Sequence, residues 1–210
     1  MTGMPLIIPP AVILAGGLSR RMGRDKAQIV LGGRSLLDHV IARIKPQVST
    51  LALNAPLDHP VSQGLPLVPD SLPGRPGPLA GILAAMQHAA RQVPQASHVL
   101  TVPIDSPFLP HNLVEKLAQS VTTDNVIAIA TSQGAMHPVC GLWPISLASA
   151  LQDFLDGPDE PRVKTFLSRH NTVLVAFADI DTPVGPLDPF LNLNTPEDLE
   201  NARRFVEAGA

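Results

Sequence analysis

The chain has 210 residues, of which 45% are hydrophobic and 16% are charged, and its formal net charge is −3. This composition excludes a disordered chain and a nucleic-acid-binding surface, because only 3% of the residues are aromatic and the chain is not basic. No apolar run approaches the roughly 20 residues of a membrane span, and the first residues lack a signal-peptide pattern. We therefore expect a cytoplasmic protein of one domain, with no nucleic-acid or membrane partner.

The first half of the chain alternates between strand and helix patterns. A short apolar run over 11–17 that ends in two glycines predicts a buried strand entering a turn. A helix is predicted over 35–45, because its apolar residues share one face and Ser35 and Asp38 have capping-box spacing. Further patterns predict a strand over 49–54, a proline-rich loop over 56–78, a helix from Pro78, a strand over 97–105 and a short helix over 113–120.

The second half of the chain has less regular patterns. They predict strands over 125–131, 137–143 and 172–178, helices over 145–155 and 163–170, and a final helix that begins near Thr195. Apolar strands that alternate with helices indicate a single α/β domain of Rossmann-like type, with a mainly parallel, mixed sheet and helices on both faces. Ligands of such sheets bind beyond the carboxyl ends of the strands. The candidate site residues are therefore those that follow the predicted strands.

Positive charge is concentrated near the start of the chain. Residues 1–50 hold seven basic and two acidic residues, whereas residues 151–210 hold five basic and eleven acidic ones. The segment LAGGLSRRMGRDK (14–26), which follows the first predicted strand, contains four of those seven bases. Glycine amides and nearby cations together suit a polyphosphate. The spacing fits neither a P-loop nor a dinucleotide fingerprint, so a solvated basic loop is the alternative interpretation.

This segment resembles the LAGG-x-S-x-R-M-G-x-D-K signature of GT-A-like nucleotidyltransferases, and most closely that of the molybdenum cofactor guanylyltransferases. The related cytidylyltransferases usually carry LAAG in this turn. The resemblance implies a nucleotide-diphospho-sugar-transferase-like fold. It also implies that the backbone of Leu14, Ala15 and Gly16 contacts the guanine nucleotide and that Lys26 contacts its phosphates. Gly17 and Arg21, from the same segment, complete this part of the predicted GTP site.

Three further residues match the same family: two at the ends of predicted strands and one in the proline-rich loop. Asn54 closes the second strand; on its own it would satisfy local backbone, whereas the resemblance implies a contact with GTP. Asp70 begins DSLPGRPGPLAG, which is similar to a stretch of the family's GTP site, and its carboxylate suits the N1–H and N2–H₂ donors of guanine. Asp105, in the string VPIDSPF, could cap the following turn, but the Asp-x-Pro match implies that it binds Mg²⁺.

Near the end of the chain, FLNLNTPEDL (190–199) resembles the family's F-x-N-x-N-T-P-E-[DE]-L element. Asn192 and Asn194 alternate, so they face the same side of an extended segment and could line the acceptor side of the site. Alternatively, Asn194 or Thr195 caps the last helix. His137, which precedes a proline, is a further match without an assigned role. No zinc-ligand spacing and no G-x-S-x-G serine-hydrolase motif occur in the sequence.

These matches predict a Mg²⁺-dependent guanylyltransferase that transfers GMP from GTP to molybdopterin, with or without molybdenum, and releases pyrophosphate. Lys26 and Asp105 are the predicted catalytic residues, because such a transfer depends on positioning and charge neutralisation. We expect one domain over 1–210, with a nucleotide-binding half at about 11–110 and an acceptor-binding half at about 111–210.

The sequence also leads to expectations about partners and leaves two alternative functions open. We expect a monomer that binds GTP and molybdopterin, with molybdoenzyme maturation proteins as further candidate partners. A cytidylyltransferase that acts on molybdopterin or on a sugar or polyol phosphate is one alternative. A non-catalytic GTP-binding module that delivers cofactor is another, and it would release no pyrophosphate.

Overall fold

The computed structural model describes residues 8–15, 28–72, 77–158 and 160–209. Its strands are β1 (Ala11–Leu14), β2 (Val30–Leu31), β3 (Arg34–Ser35), β4 (Leu51–Asn54), β5 (His98–Pro103), β6 (Ile127–Ser132), β7 (Ala135–Pro144), β8 (Thr172–Phe177), β9 (Ile180–Thr182) and β10 (Gly185–Leu187). Its α-helices are α1 (Leu36–Ile44), α2 (Pro78–Gln92), α3 (Leu113–Gln119), α4 (Ala148–Asp156), α5 (Val163–Ser168) and α6 (Pro196–Glu207). Short 3₁₀ turns follow α1 and precede α4.

Six strands form one sheet in the order β4-β1-β5-β7-β6-β8. β1 pairs in parallel with β4 and β5, and β6 pairs in parallel with β8, whereas β7 runs antiparallel to both β5 and β6. Five strands therefore end at one edge of the sheet, and β7 begins at that edge. The prediction of a mainly parallel, mixed sheet is confirmed.

Helices cover both faces of the sheet, as predicted, because successive side chains of a strand point to opposite faces. Ala11 and Ile13 of β1 pack in one apolar cluster with residues of α1 and α3. Val12 and Leu14 pack in a second cluster with residues of α2, α4 and α5. The sheet is thus buried on both sides, which explains why its strands read as continuous apolar runs in the sequence.

The helices begin where their sequence signals predict. At α1, the Ser35 hydroxyl accepts a hydrogen bond from the Asp38 N–H, and the Asp38 carboxylate accepts one from the Ser35 N–H. The same reciprocal pair at α6 joins Thr195 and Asp198, so Thr195 provides the cap of the last helix. α2 begins at Pro78, whose missing N–H costs nothing in the first turn.

Two short hairpins are absent from the elements predicted above. β2 and β3 are joined by Gly32 and Gly33, whose φ angles of 57° and 81° favour glycine strongly. The β9–β10 hairpin precedes the extended segment that leads to α6. A third apolar cluster, which includes Leu31, Leu193 and Phe205, joins both hairpins to α6. None of the helices in the described ranges is long and apolar enough to cross a membrane.

Candidate active site

Three neighbouring strands, β4, β1 and β5, end together at one edge of the sheet. Leu14 is level with Asn54 on one side and with Pro103 on the other. The Ala15 N–H donates to the Asn54 carbonyl oxygen at 3.1 Å, and the Leu14 carbonyl accepts from the Ile104 N–H at 3.2 Å. These two backbone groups are engaged within the sheet. Any contact of Ala15 with a nucleotide would therefore use atoms other than its N–H.

The other residues predicted from the LAGG segment, Gly16, Gly17, Arg21 and Lys26, lie outside the described residues. The structure gives the point from which their segment departs. That point is Ala15, directly beyond β1 at the shared edge, and the described chain resumes at residue 28, just before the β2–β3 hairpin. Their roles in binding GTP stay predictions.

Asp70 is held beside the end of β4 by the side chain of Asn54. The Asn54 amide nitrogen, Nδ2, donates to the Asp70 carboxylate and to the Val68 carbonyl oxygen, each at 2.9 Å. Backbone hydrogen bonds attach the 66–68 stretch to β4, from the Leu53 N–H to Pro66 and from the Val68 N–H to Leu53. Asp70 itself is exposed, so its carboxylate is fixed and yet reaches solvent.

The Asn54 side chain is buried against α2. Only 2% of Asn54 is exposed. A Cβ at Gly81 would lie 2.6 Å from Asn54 Oδ1 and 3.4 Å from a methyl carbon of Leu14. Glycine at position 81 is therefore required to leave room for the amide that orients Asp70. The donating nitrogen of Asn54 serves Asp70 and Val68, so the structure assigns Asn54 a local bonding role and leaves its contact with GTP a prediction.

Asp105 lies directly beyond β5, half-buried, and the 191–194 stretch packs against it. The Leu193 N–H donates to the Asp105 carbonyl oxygen at 2.9 Å. The hydroxyl of buried Ser106 donates to Asn192 Oδ1 at 2.6 Å. Leu193 is fully buried, whereas Asn192 and Asn194 on either side of it are exposed. The structure therefore brings Asn192 to Asp105 and Ser106, and the predicted alternation of the two asparagines is confirmed.

His137 lies near the start of β7, at the same edge of the sheet. Its ring stacks on Phe190, with ring centroids 4.5 Å apart and planes inclined by 14°. Its Nε2 lies 2.7 Å from the hydroxyl oxygen of Ser132, which is 2% exposed. Burial lowers the pKa of His137 below its ordinary value, and the negative charge of Asp188 opposes this shift. A neutral imidazole is therefore favoured at pH 7.

The residues at this edge fit Mg²⁺ better than a closed metal site. Within the part of the chain that the structure describes, no three His, Cys, Asp or Glu side chains are grouped so that they could hold a metal ion. A structural zinc site would need four such ligands. Mg²⁺ takes one or two carboxylates and completes its shell with water and substrate phosphates. Asp105, half-buried at a strand end, suits that arrangement.

The chain matches a family model and full-length relatives. Residues 11–173 match the model of the MobA-like NTP transferase domain. The molybdenum cofactor guanylyltransferase of Rhizobium meliloti (strain 1021) is 52% identical to this chain, covering 98% of it and 96% of the relative. The enzyme of the same name from Rhizobium rhizogenes (strain K84 / ATCC BAA-868) is 51% identical, covering 97% and 94%. This chain belongs to the molybdenum cofactor guanylyltransferase family.

A solved structure agrees with this assignment at the level of the fold. The molybdopterin-guanine dinucleotide biosynthesis protein A of Archaeoglobus fulgidus superposes with a TM-score of 0.70 at 21% identity, covering 94% of this chain and 98% of that one. The predicted resemblance to molybdenum cofactor guanylyltransferases is confirmed, and so is the expectation of a nucleotidyltransferase. The family signature at 14–26 begins at the same edge of the sheet that carries Asp70, Asp105 and Asn192.

Sequence reasoning missed two contacts at this candidate site. Ser106, which holds Asn192, directly follows Asp105, but a serine in that position had no recognisable signal. The stacking of His137 on Phe190 joins residues 53 positions apart. Both residues stood in matched motifs, MHPVCGLW and FLNLNTPEDL, yet nothing in either string indicates that the two rings meet.

Proposed function

We propose that this chain transfers GMP from GTP to the terminal phosphate of molybdopterin, with Mg²⁺ bound at Asp105. The relatives at about 50% identity are named for guanylyl transfer in molybdenum cofactor synthesis. One observation of the structure supports the proposal most directly. Asp70 and Asp105 flank the end of β1, at β4 and β5, which are two strand spacings or about 10 Å apart. A nucleotide lying across the end of β1 could reach both carboxylates.

On this proposal Asp70 recognises the base. Guanine presents two adjacent donors, N1–H and N2–H₂, and a carboxylate has two oxygens that can accept both. Cytosine has an acceptor at N3 beside its N4–H₂ donor, so a carboxylate there would face a repulsive contact. The Asn54 amide holds one oxygen of Asp70 and thereby fixes the direction of the other. Asp70 therefore supports GTP over CTP as the donor.

The transfer itself needs little covalent help from the protein. An oxygen of the acceptor phosphate attacks the α-phosphorus of GTP, the bond from that phosphorus to the bridging oxygen breaks, and its electrons leave with pyrophosphate. Asp105 would hold Mg²⁺, which would supply charge neutralisation at the phosphates. Lys26 and Arg21, on the segment that departs from Ala15, would add positive charge to the leaving pyrophosphate. The acceptor phosphate is already ionised, so no strong general base is required.

The acceptor would enter on the other side of Asp105. Asn192 and Asn194 are exposed on the stretch that packs against Asp105 and Ser106, and their amides can both donate to and accept from a pterin. We also propose that the protein works as a cytoplasmic monomer, and that proteins which mature molybdoenzymes receive its product.

Dinucleotide synthesis tests the proposal. Purified protein is incubated with Mg²⁺, molybdopterin and GTP, CTP, ATP or UTP in separate reactions, and both pyrophosphate and the dinucleotide are measured. We expect equal amounts of both products with GTP and background levels with the other nucleotides. Dinucleotide from CTP would favour the cytidylyltransferase instead. Binding of GTP without pyrophosphate release, in the presence of molybdopterin, would favour a delivery module.

A further inference from the structure

The reversed strand β7 brings a side chain to the active-site edge that the mechanism above does not use. β7 pairs antiparallel with β5, with Thr101 level with Gly141. Its first residues therefore lie at the edge where Asp105 follows β5, and the Thr101 hydroxyl donates to the Val139 carbonyl at 2.6 Å between the two strands. His137 is carried on this part of β7 and is partly exposed there.

Two contacts fix the imidazole of His137. The hydroxyl of buried Ser132 lies 2.7 Å from Nε2, and the ring of Phe190 covers one face at a centroid distance of 4.5 Å. Phe190 is itself 2% exposed and meets the ring of Phe177 edge-on at 5.2 Å. Aromatic pairs of this kind stabilise a structure by more than the area that they bury. His137 is thus joined to the segment that contains Phe190.

That segment, residues 188–194, carries acceptor-side residues. It is turned by the Asp188 carboxylate, which accepts from the Phe190 N–H at 2.9 Å. Two residues after Phe190, Asn192 accepts the hydrogen bond of Ser106, and the next residue, Leu193, donates to the carbonyl of Asp105. A chain of direct contacts therefore runs from His137 through the segment that contains Phe190 to Asp105 and Ser106.

A catalytic triad is the competing interpretation, because serine, histidine and aspartate lie near one another here. Ser132 is 2% exposed and its hydroxyl is bonded to His137 Nε2, so no substrate carbonyl can reach it. A nucleophile must contact its substrate. The arrangement therefore fits a role in holding the 188–194 segment and not one in hydrolysis.

The position of β7 in the sheet indicates which substrate His137 affects. The order β4-β1-β5-β7 puts Asp70, beside β4, and His137, on β7, on opposite sides of β5. Resting on the proposed function, we propose that His137 is a positioning residue for the acceptor: by stacking on Phe190 it keeps Asn192 against Ser106 and Asp105, where molybdopterin binds. GTP binding at Asp70 does not depend on it.

Kinetics with both substrates test this role. We expect His137→Ala to raise the KM for molybdopterin about tenfold or more, while the KM for GTP stays within about twofold. His137→Phe, which keeps an aromatic ring on Phe190, should recover most of the loss. His170→Ala is the matched control, because His170 also packs on a phenylalanine, Phe166 at 4.3 Å, but lies before β8 at the opposite edge. Equal effects on both KM values, or none, would overturn the proposal.

A second measurement does not depend on turnover. Amide hydrogen exchange reports the Leu193 N–H, whose acceptor is the Asp105 carbonyl. We expect it to exchange at least tenfold faster in His137→Ala than in the parent and the His170→Ala control, with the core amides of β1 unchanged. Unchanged exchange at Leu193 would refute the positioning role even if activity fell. If the parent protein makes no dinucleotide, the proposed function fails, and this exchange experiment still decides whether His137 holds the segment.

Discussion

The amide nitrogen of Asn54 donates at 2.9 Å to the carboxylate of Asp70, 16 positions further along the chain. This bond joins the end of a buried strand to an exposed acid within the proline-rich loop. The loop can therefore be long and still present Asp70 in a defined place. On the proposed function, Asn54 fixes the position of Asp70, and Asp70 contacts the base.

Removing this bond should weaken GTP binding. We expect Asn54→Ala to raise the KM for GTP about tenfold and to lower the free energy of unfolding by about 1–2 kcal/mol, because a buried amide and two hydrogen bonds are lost. Ser71→Ala is the control, since Ser71 bonds Gln87 on the exposed side of the same stretch. A KM for GTP that moved equally in both variants would mean that the whole loop, and not Asn54, orients Asp70.

The stability cost of a substitution at Gly81 should depend on the presence of the Asn54 side chain. A Cβ at position 81 would lie 2.6 Å from Asn54 Oδ1, so Gly81→Ala should displace the amide although alanine is the better helix former. We expect Gly81→Ala to destabilise the parent protein by about 1–3 kcal/mol. In an Asn54→Ala background the same change should cost less or even stabilise. Additive effects in urea unfolding of the four proteins would contradict the predicted clash.

Asp105 should be essential for turnover but not for folding. We expect Asp105→Asn to lower kcat about 10³-fold, because the amide is neutral and a much weaker ligand for Mg²⁺. Asparagine has nearly the shape of aspartate and keeps one accepting oxygen, and the bond from Leu193 uses the backbone oxygen of residue 105, so the melting temperature should change little. Asp124→Asn serves as a control at an exposed position before β6. Activity and Mg²⁺ dependence are measured by pyrophosphate release, and a folded, fully active Asp105→Asn protein would disprove the metal assignment.

His98 should make stability depend on pH. It is 6% exposed at the start of β5, its Nε2 donates to the Val126 carbonyl at 2.9 Å, and its Nδ1 accepts from the Ser97 hydroxyl at 2.9 Å. Both bonds fit a neutral ring. Burial lowers the pKa of His98 below its ordinary value near 6.5, although the Val126 carbonyl and the charge of Asp124 oppose this.

The direction of this pH dependence follows from the difference in protons bound by the unfolded and the folded protein. Below pH 6.5 the unfolded chain binds a proton at His98 that the folded protein does not bind until its lower pKa is reached. The contribution of His98 to stability is therefore complete above pH 6.5 and is lost as the pH falls toward the folded-state pKa. Urea unfolding from pH 7.5 to 5.5 should show a smaller fall in stability for His98→Gln than for the parent, because the other histidines are common to both. Parallel curves would contradict the prediction.

Most elements of this fold were predictable because their signals are local. The apolar run of β1, the capping box of α1 and Pro78 at the start of α2 are each read from a few neighbouring residues. The direction of β7 was not predicted. In the structure, β6 and β7 are joined by only two residues, Gln133 and Gly134, both with positive φ, and only an antiparallel pair can use so short a connection. The pair Gly32 and Gly33 likewise indicates the tight turn of the β2–β3 hairpin.

The candidate site was predictable as a set of residues and not as a set of contacts. Asp70, Asp105 and Asn192 stood in matched motifs, and the structure brings Asp105 and Asn192 together at one edge. The bond between Asn54 and Asp70 depends on where a loop returns to the sheet, and the stacking of His137 on Phe190 depends on the packing of distant segments. Neither leaves a periodic pattern, because periodicity records which face of an element is buried and not which residue it meets.

The hydrogen bond from Ser106 to Asn192 spans 86 positions of the chain. A ribosome releases the strands that end at Leu14, Asn54 and Pro103 well before it releases Asn192. A partly synthesised chain therefore lacks the stretch that packs against Asp105 until synthesis is nearly complete. Contacts this distant in sequence also form late and slowly in folding. On the proposed assignment, the acceptor side of the site can therefore form only when nearly the whole chain has been made.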